Sequence, residues 1–402
     1  MFNNPTIAYI YVGAGPGYGS VYDKIIAQIN GLNKQRVATQ GVFLGFDFSL
    51  EQRKQQYVEY VKVEKITGRF FIKTRKRQKL IQALKKWADN NAGKYDKLYI
   101  RNYRPGFFWW LFLLKYGHKS ITEHQTMEYL EVKALAKENP FGLKPSKLFS
   151  WLEHTLLPMI NEKIFGSLAL GATAQIVAVT REIGEYEVKR AFPPKPALTV
   201  IANGIDVEAY PLRTSPIFDG KQLKIMMLVG GSTAIDWHGI DLVMQGIEQY
   251  RGPIQIQLWL LGDVSVLKPY EAPYIVKPGF ADKKMLNELS DTIHIGLGSF
   301  ALQRKGLTEA CSLKMREYAA RGIPSVYGQE DADYEYLIKE GLALKLSPMV
   351  PPDMQKIIAF ANKVYCDSGT AEKIRSTANA VMDMHLKIKE LSEVFRRMIV
   401  AD

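Results

Sequence analysis

Short runs of apolar and β-branched residues alternate along this chain with longer stretches whose apolar positions return every three or four residues. The short runs predict strands, the longer stretches helices. In the first half, strands are predicted at Thr6–Val12, 40–46, 57–63, Lys97–Arg101, 120–123, 176–180 and 198–202, with a helix over about 21–32. In the second half they begin near Leu223 (IMMLVGG) and continue at 254–261, 274–277, 293–297 and 323–327. Helices are predicted over WHGIDLVMQGIEQY, around 284–289, over Leu313–Arg321, over Met354–Tyr365 and over 371–397. Strand and helix alternate at βαβ spacing in both halves, so the fold class is α/β with doubly wound sheets. No short-period repeat or low-complexity tract interrupts this plan.

A chain of 402 residues exceeds one ordinary core and implies two domains. Two cysteines, Cys311 and Cys366, speak against a disulfide framework and for a reducing compartment. No apolar run approaches the roughly 20 residues of a spanning helix, and MFNNPTIAYIYVG lacks a basic leader, so a cytoplasmic protein is expected.

A net charge of +12 calls for an acidic partner: nucleic acid, an anionic membrane or an anionic small molecule. Residues 65–86, KITGRFFIKTRKRQKLIQALKK, contain no acidic residue and carry Lys73, Arg75, Lys76, Arg77, Lys79, Lys85 and Lys86 beside Leu80, Ile81 and Leu84. Two readings stay open and compatible: a basic amphipathic helix on the inner face of an anionic membrane, or a solvated helix packed on the core. Nucleic acid is disfavoured, because no binding module accompanies the charge. The helix after Pro105, GFFWWLFLLKYG, reads as a core helix; an aromatic face at the lipid interface is the alternative.

Candidate chemistry concentrates at Gly306–Pro324, GLTEACSLKMREYAARGIP. Ser312 is an N-cap residue type, Gly322 fits C′ and Pro324 blocks continuation. The start of such a helix favours an anion, and Lys314 in its first turn would add a full positive charge. Lys314, Glu317 and Arg321 share one helical face. A carboxylate one turn beyond a bound phosphate can accept ribose hydroxyls, and Glu309 precedes the helix. On spacing alone Glu309 and Glu317 read more readily as ordinary surface charges. The turn GAGPGYGS, 13–20, joins the first strand to a helix but breaks the dinucleotide spacing G-x-G-x-x-G.

The segment Glu309–Glu317 followed by YAARGIP resembles the E-x7-E motif of retaining GT-B glycosyltransferases, family 4 in particular, in the variant found in bacterial surface-polysaccharide biosynthesis. Asn203-Gly204-Ile205-Asp206 matches the family's signature at the domain junction. The resemblance implies two Rossmann-like domains facing a central cleft, 1–205 with a returning C-terminal helix at 386–402, and 206–385 binding a nucleotide-sugar. It implies transfer of a sugar from a nucleotide diphosphate to a polysaccharide or lipid-linked glycan. Glu309 would orient the donor sugar, and His124, after the 120–123 strand, would support the reacting centre. Glu317 would hold the ribose, while the Ser312 and Leu313 backbone with Lys314 would hold the pyrophosphate. Gly15 and Gly17 correspond to the family's loop opposite the donor, and Gly231 to the turn after the first strand of the second domain. The family's Arg and Lys phosphate ligands are replaced by Ser232 and His238, which shifts weight to Lys314 and His238. No cofactor or metal is implied, because the helix start and Lys314 supply positive charge. No Asp-x-Asp triplet is read ahead of the donor pocket, Phe280-Ala281-Asp282 offering one carboxylate only. Cys311 is read as a packing residue. Alternatives are a GT-B phosphorylase or epimerase, and a non-catalytic membrane-associated scaffold.

Overall fold

The computed structural model describes residues 4–13, 19–48, 54–65, 72–101, 106–137, 145–230 and 236–401. It divides into two compact units, Met1–Ala202 with His385–Asp402, and Asn203–Met384. Each is built on its own parallel sheet.

In the first unit the strands are β1 (Thr6–Val12), β2 (Ala38–Gly45), β3 (Val58–Lys62), β4 (Lys97–Arg101), β5 (Ser120–His124), β6 (Gln175–Ala178) and β7 (Ala197–Val200), ordered β3-β2-β1-β4-β5-β6-β7. β1 is buried almost throughout, as expected of a parallel strand covered on both faces. Ala8, Ile10, Leu98 and Ile100 pack against Leu80, Ile81, Leu84 and Trp87 of the helix Ile72–Asn91. The basic stretch therefore does pack on the core, with Arg75 and Lys76 exposed on its outer side.

The helix Phe107–Tyr116 buries Trp109, Phe112, Leu113 and Tyr116 and exposes Phe107, Phe108, Leu111 and Leu114. It is a core helix on one side only. Helical stretches at Glu128–Lys137 and over 145–172, the latter with two π-helical segments, had no counterpart in the sequence pattern. Apolar residues recur there without the stripe that marks an amphipathic helix.

The second unit carries β8 (Gln222–Gly230), β9 (Gln255–Gly262), β10 (Ile275–Gly279), β11 (Ile295–Leu297), β12 (Ser325–Tyr327) and β13 (Ala343–Lys345), ordered β10-β9-β8-β11-β12-β13. The chain runs outward from β8 to β10, then restarts at β11 and runs the other way. The neighbours β8 and β11 thus define the topological switch point, where ligands of open α/β sheets bind beyond the carboxyl ends of the strands.

The expected helix over 371–397 is two helices, Thr370–Val381 and Met384–Ala401. The break has a defined cause. Ile205 donates to the Met382 carbonyl at 2.9 Å and accepts from the Met384 N–H at 2.8 Å, so the junction segment takes these groups from the helix ladder. The last helix packs on the first unit. Ile388 fills the space a side chain at Gly31 would need, and Ser392 donates to Gln35 at 2.8 Å.

Candidate functional site

The helix Leu313–Arg321 begins where its sequence predicts. Ser312 adopts the extended N-cap conformation, but its hydroxyl makes no capping bond, contrary to the role its residue type suggests. The first-turn N–H groups are thus without a side-chain cap. The helix ends in a Schellman motif: Gly322, at φ +75°, donates to Ala319 and Ile323 donates to Tyr318 at 2.8 Å.

Lys314 meets His238. Its Nζ lies 3.0 Å from His238 Nδ1, although 76 positions separate the two in the chain. His238 closes the short turn Asp236–His238 after β8, and its carbonyl accepts from the Phe300 N–H just beyond β11 at 3.0 Å. The next residue, Gly239, sits at φ +73°, and a Cβ there would press on Phe300 and Ala301 at 3.0–3.3 Å. Arg304 clamps the same turn, donating to the Asp236 carbonyl at 2.9 Å and to both Asp241 carboxylate oxygens at 2.8 and 2.7 Å. The turn after β8, the loop after β11 and the helix before β12 therefore converge at the switch point.

The electrostatics of this pair depart from expectation. Desolvation lowers Lys314 to about 7, so near neutrality the ammonium is only partly charged, whereas the sequence implied a full charge. Burial and the neighbouring Lys314 and Lys305 hold His238 well below the ordinary histidine value. A neutral imidazole with an acceptor Nδ1 therefore receives a proton donor from lysine. Ser299 Oγ is a further neighbour of that nitrogen at 3.4 Å.

One turn along the helix, Glu317 is nearly buried and receives Arg321 Nε and Nη2 at 3.2 and 3.1 Å, while Arg321 also reaches Asn287 at 2.6 Å. Glu309 lies half-buried in a parallel bridge to Glu330, closed by Ala310 N–H to the Glu330 carbonyl and Glu330 N–H to the Thr308 carbonyl, each at 2.9 Å. The loops after β11 and β12 are thereby tied together. Gly15, Gly17, Gly231 and Ser232 lie outside the described residues.

Sequence reasoning passed over several residues of this region. Gln329, past the end of β12, accepts the Ser299 N–H at 3.0 Å, and its buried Nε2 has no hydrogen-bond partner among the described residues. Arg316 is fully buried and donates to Asp331 at 2.8 Å through Nη2, which also reaches Asp333 at 2.9 Å; Nη1 makes a further bond to Asp331. Asp331-Ala332-Asp333 is an Asp-x-Asp triplet that the sequence analysis overlooked. Its carboxylates grip a guanidinium, so the triplet does not fit a metal. Arg316 also donates to the Asn203 carbonyl at 3.3 Å, and Asn203 Nδ2 donates to the Cys311 carbonyl at 2.6 Å. The Asn-Gly-Ile-Asp segment is thus docked against the middle of the E-x7-E stretch. Burial pushes the Cys311 thiol up to about 12, consistent with packing rather than reactivity.

His124 belongs to the first unit. It ends β5, is fully buried, and engages Glu128 through Nδ1 at 3.0 Å and Thr122 through Nε2 at 2.9 Å. Among the described residues, His124, Glu128 and Glu187 form the one group spaced to ligate a metal. Arg190 occupies the same surroundings, pairing with Glu187 at 2.6 Å, with Glu162 at 2.5 Å and more distantly with Glu128 at 3.9 Å. Burial and the adjacent Glu128 push Glu187 well above its ordinary value, while Arg190 draws it back down. The cluster is a buried ion-pair network with its own cation.

No family model matches this chain, and no curated protein sequence matches it significantly. Solved structures do match along its whole length. HepE of Anabaena in complex with UDP-glucose superposes with a TM-score of 0.63 at 13% identity, covering 98% of this chain and 100% of that one. Sucrose-phosphate synthase from Thermosynechococcus elongatus gives 0.63 at 11% identity, covering 99% and 100%. WaaG, a glycosyltransferase involved in lipopolysaccharide biosynthesis, gives 0.61 at 11%, covering 97% and 99%. At such identities the likeness speaks for architecture. Together with the two parallel sheets and their switch points, it establishes that this chain has the GT-B fold of the glycosyltransferases.

Proposed function

We propose that this chain is a retaining glycosyltransferase of the family 4 type, transferring a sugar from a nucleotide-diphosphate donor to a polysaccharide or lipid-linked glycan. One observation carries the reading. The E-x7-E helix presents a start without a side-chain cap at the topological switch point, with the Lys314–His238 pair beside it and Glu317 one turn further on. That order suits pyrophosphate, then ribose. The unpartnered Nε2 of Gln329 is one more donor available to a polar ligand there. The fold neighbour HepE was solved with UDP-glucose, which supports a UDP-sugar as the first donor to try.

In this reading the Ser312 and Leu313 backbone N–H groups and the Lys314 side chain neutralise the charge that develops on the departing diphosphate. Removing one such donor costs about 2.7–4 kcal/mol of barrier lowering. Glu309 orients the donor sugar, Glu317 with Arg321 fixes the ribose end, and His124 acts from its buried network as a positioning residue. No metal takes part. The protein works in the cytoplasm, peripheral to the membrane through its basic helix.

The test is a panel of UDP-, GDP-, ADP-, CMP- and dTDP-sugars, scored by binding and by slow hydrolysis without acceptor. One nucleotide class should bind, and Glu317→Ala should abolish that binding. A second reading, a non-catalytic scaffold of the same fold, is favoured by Ser232 and His238 standing where the family has basic phosphate ligands. Binding of none of the five would decide for it.

A further inference from the structure

The second unit places Ser232 and His238 where the resemblance implies basic phosphate ligands. His238, held well below the ordinary histidine value, brings no charge near neutral pH. Lys314, lowered to about 7 by desolvation, brings only about half of one. A sugar-linked diphosphate carries a negative charge on each phosphate. The pair at the helix start therefore leaves most of that charge unbalanced.

The loop after β11 supplies two adjacent bases, Arg304 and Lys305, from the short turn Leu302–Lys305. Gly306, at φ +79°, closes that turn by donating to the Gln303 carbonyl at 2.9 Å. Both bases reach across to the turn after β8. Arg304 is committed there, gripping both Asp241 carboxylate oxygens and the Asp236 carbonyl. Lys305 instead lays its ammonium over the Trp237 ring, 4.6 Å from the centroid. Trp237 immediately precedes His238, and their rings are 6.0 Å apart. The charges of Lys305 and Lys314 both act on that one imidazole and hold it down. Two ammonium groups from different loops thus flank the turn beside the uncapped helix start.

We propose that Lys305 is the second cation of the donor site, binding the diphosphate together with Lys314 in place of the basic pair. The inference rests on the proposed function for the nucleotide and on this geometry for the anion. An aromatic face holds an ammonium weakly at a partly exposed site, and it leaves the charge on the amine. A phosphate oxygen offers a stronger, charge-assisted bond. The Trp237 ring keeps the lysine stem at the turn, and the amine swings from the ring to the phosphate when the ligand arrives.

The experiment titrates the full-length protein with inorganic pyrophosphate and with UDP by calorimetry, at low and at high salt. Pyrophosphate probes the anion site without regard to the nucleotide class. Lys305→Gln should weaken both ligands at least about tenfold, with the thermal transition unchanged. Lys305→Arg keeps the charge and should bind both nearly as wild type does. Added salt should weaken wild type more than Lys305→Gln, because one screened contact is already gone. Absence of pyrophosphate binding by wild type would overturn the proposal. So would wild-type affinity in Lys305→Gln, or a loss in Lys305→Arg as large as in Lys305→Gln, which would make the role steric. Pyrophosphate binding that depends on Lys305, with no nucleotide of the panel bound, removes the transferase reading and keeps the anion site. Nucleotide binding indifferent to Lys305→Gln removes this assignment alone.

Discussion

Donor binding should depend on pH through Lys314. An exposed lysine titrates near 10.4, but desolvation beside a neutral His238 brings Lys314 to about 7. A pyrophosphate diester is fully ionised across the neutral range, so its own protonation does not contribute. About half of Lys314 is charged at pH 7 and about 1% at pH 9. Binding of an anion favours the ammonium and therefore draws in a proton. Affinity for the nucleotide-sugar should be highest below pH 7 and fall by up to tenfold per unit above it, roughly 100-fold by pH 9. Calorimetry in buffers of different ionisation enthalpy should show uptake of about half a proton at pH 7, rising toward one near pH 8.5. Lys314→Arg keeps its charge throughout and should flatten the profile, while Lys314→Met should bind weakly with no slope. A flat wild-type profile between pH 7 and 9, or the wild-type slope in Lys314→Met, would refute the reasoning.

Removing the Arg316 guanidinium strands two buried carboxylates, so Arg316→Leu should destabilise the second unit by about 3–5 kcal/mol. Urea unfolding followed at Trp237 and Trp259 would read it, and Asp331→Asn with Asp333→Asn in the same chain should recover part of the loss. Gly322→Ala puts a Cβ into a left-handed backbone and within 2.7 Å of the Ala371 carbonyl oxygen. It should cost at least about 2 kcal/mol in the same assay, and a loss under half of that would remove the steric argument. Glu309→Ala should lower turnover by orders of magnitude while nucleotide affinity stays near wild type; near-wild-type turnover would end its assigned role. Reversing Arg75, Lys76 and Lys79 to Glu should release the protein from anionic liposomes, and release should equally follow added salt. Unchanged binding to those liposomes would mean that the basic helix serves the core alone.

Much of the architecture was legible because parallel strands buried on both faces write themselves as unbroken apolar runs. Thr6–Val12 and Lys97–Arg101 lie where their patterns place them. The helix 313–321 was legible at both ends for a local reason, since Gly322 satisfies a backbone requirement that few residues can meet. Elements fixed by distant partners were not. The break at Met382–Met384 exists because Ile205, some 177 positions earlier, takes its hydrogen bonds, and nothing near 382 in the sequence announces this. The 145–172 run hides for another reason. Its outer surface is as apolar as its inner one, so the amphipathic period that reveals a helix is absent.

The site shows the same division in chemical terms. Spacing placed Glu309, Lys314 and Glu317 on one motif, which is a local statement. Their charge states are not local. A lysine in a first helical turn is fully charged by default; it titrates near neutrality because burial desolvates it, at a point where the turn after β8 delivers His238 3.0 Å from its amine. That delivery depends on Gly239 tolerating φ +73° against Phe300, and on Arg304 binding Asp236 and Asp241. The replacement of the expected basic residue by His238 therefore reads differently in three dimensions. His238, held well below the ordinary histidine value, faces the Lys314 amine at 3.0 Å. In the proposed function, desolvation of Lys314 would make donor binding sensitive to pH in the range where a fixed arginine would hold its charge.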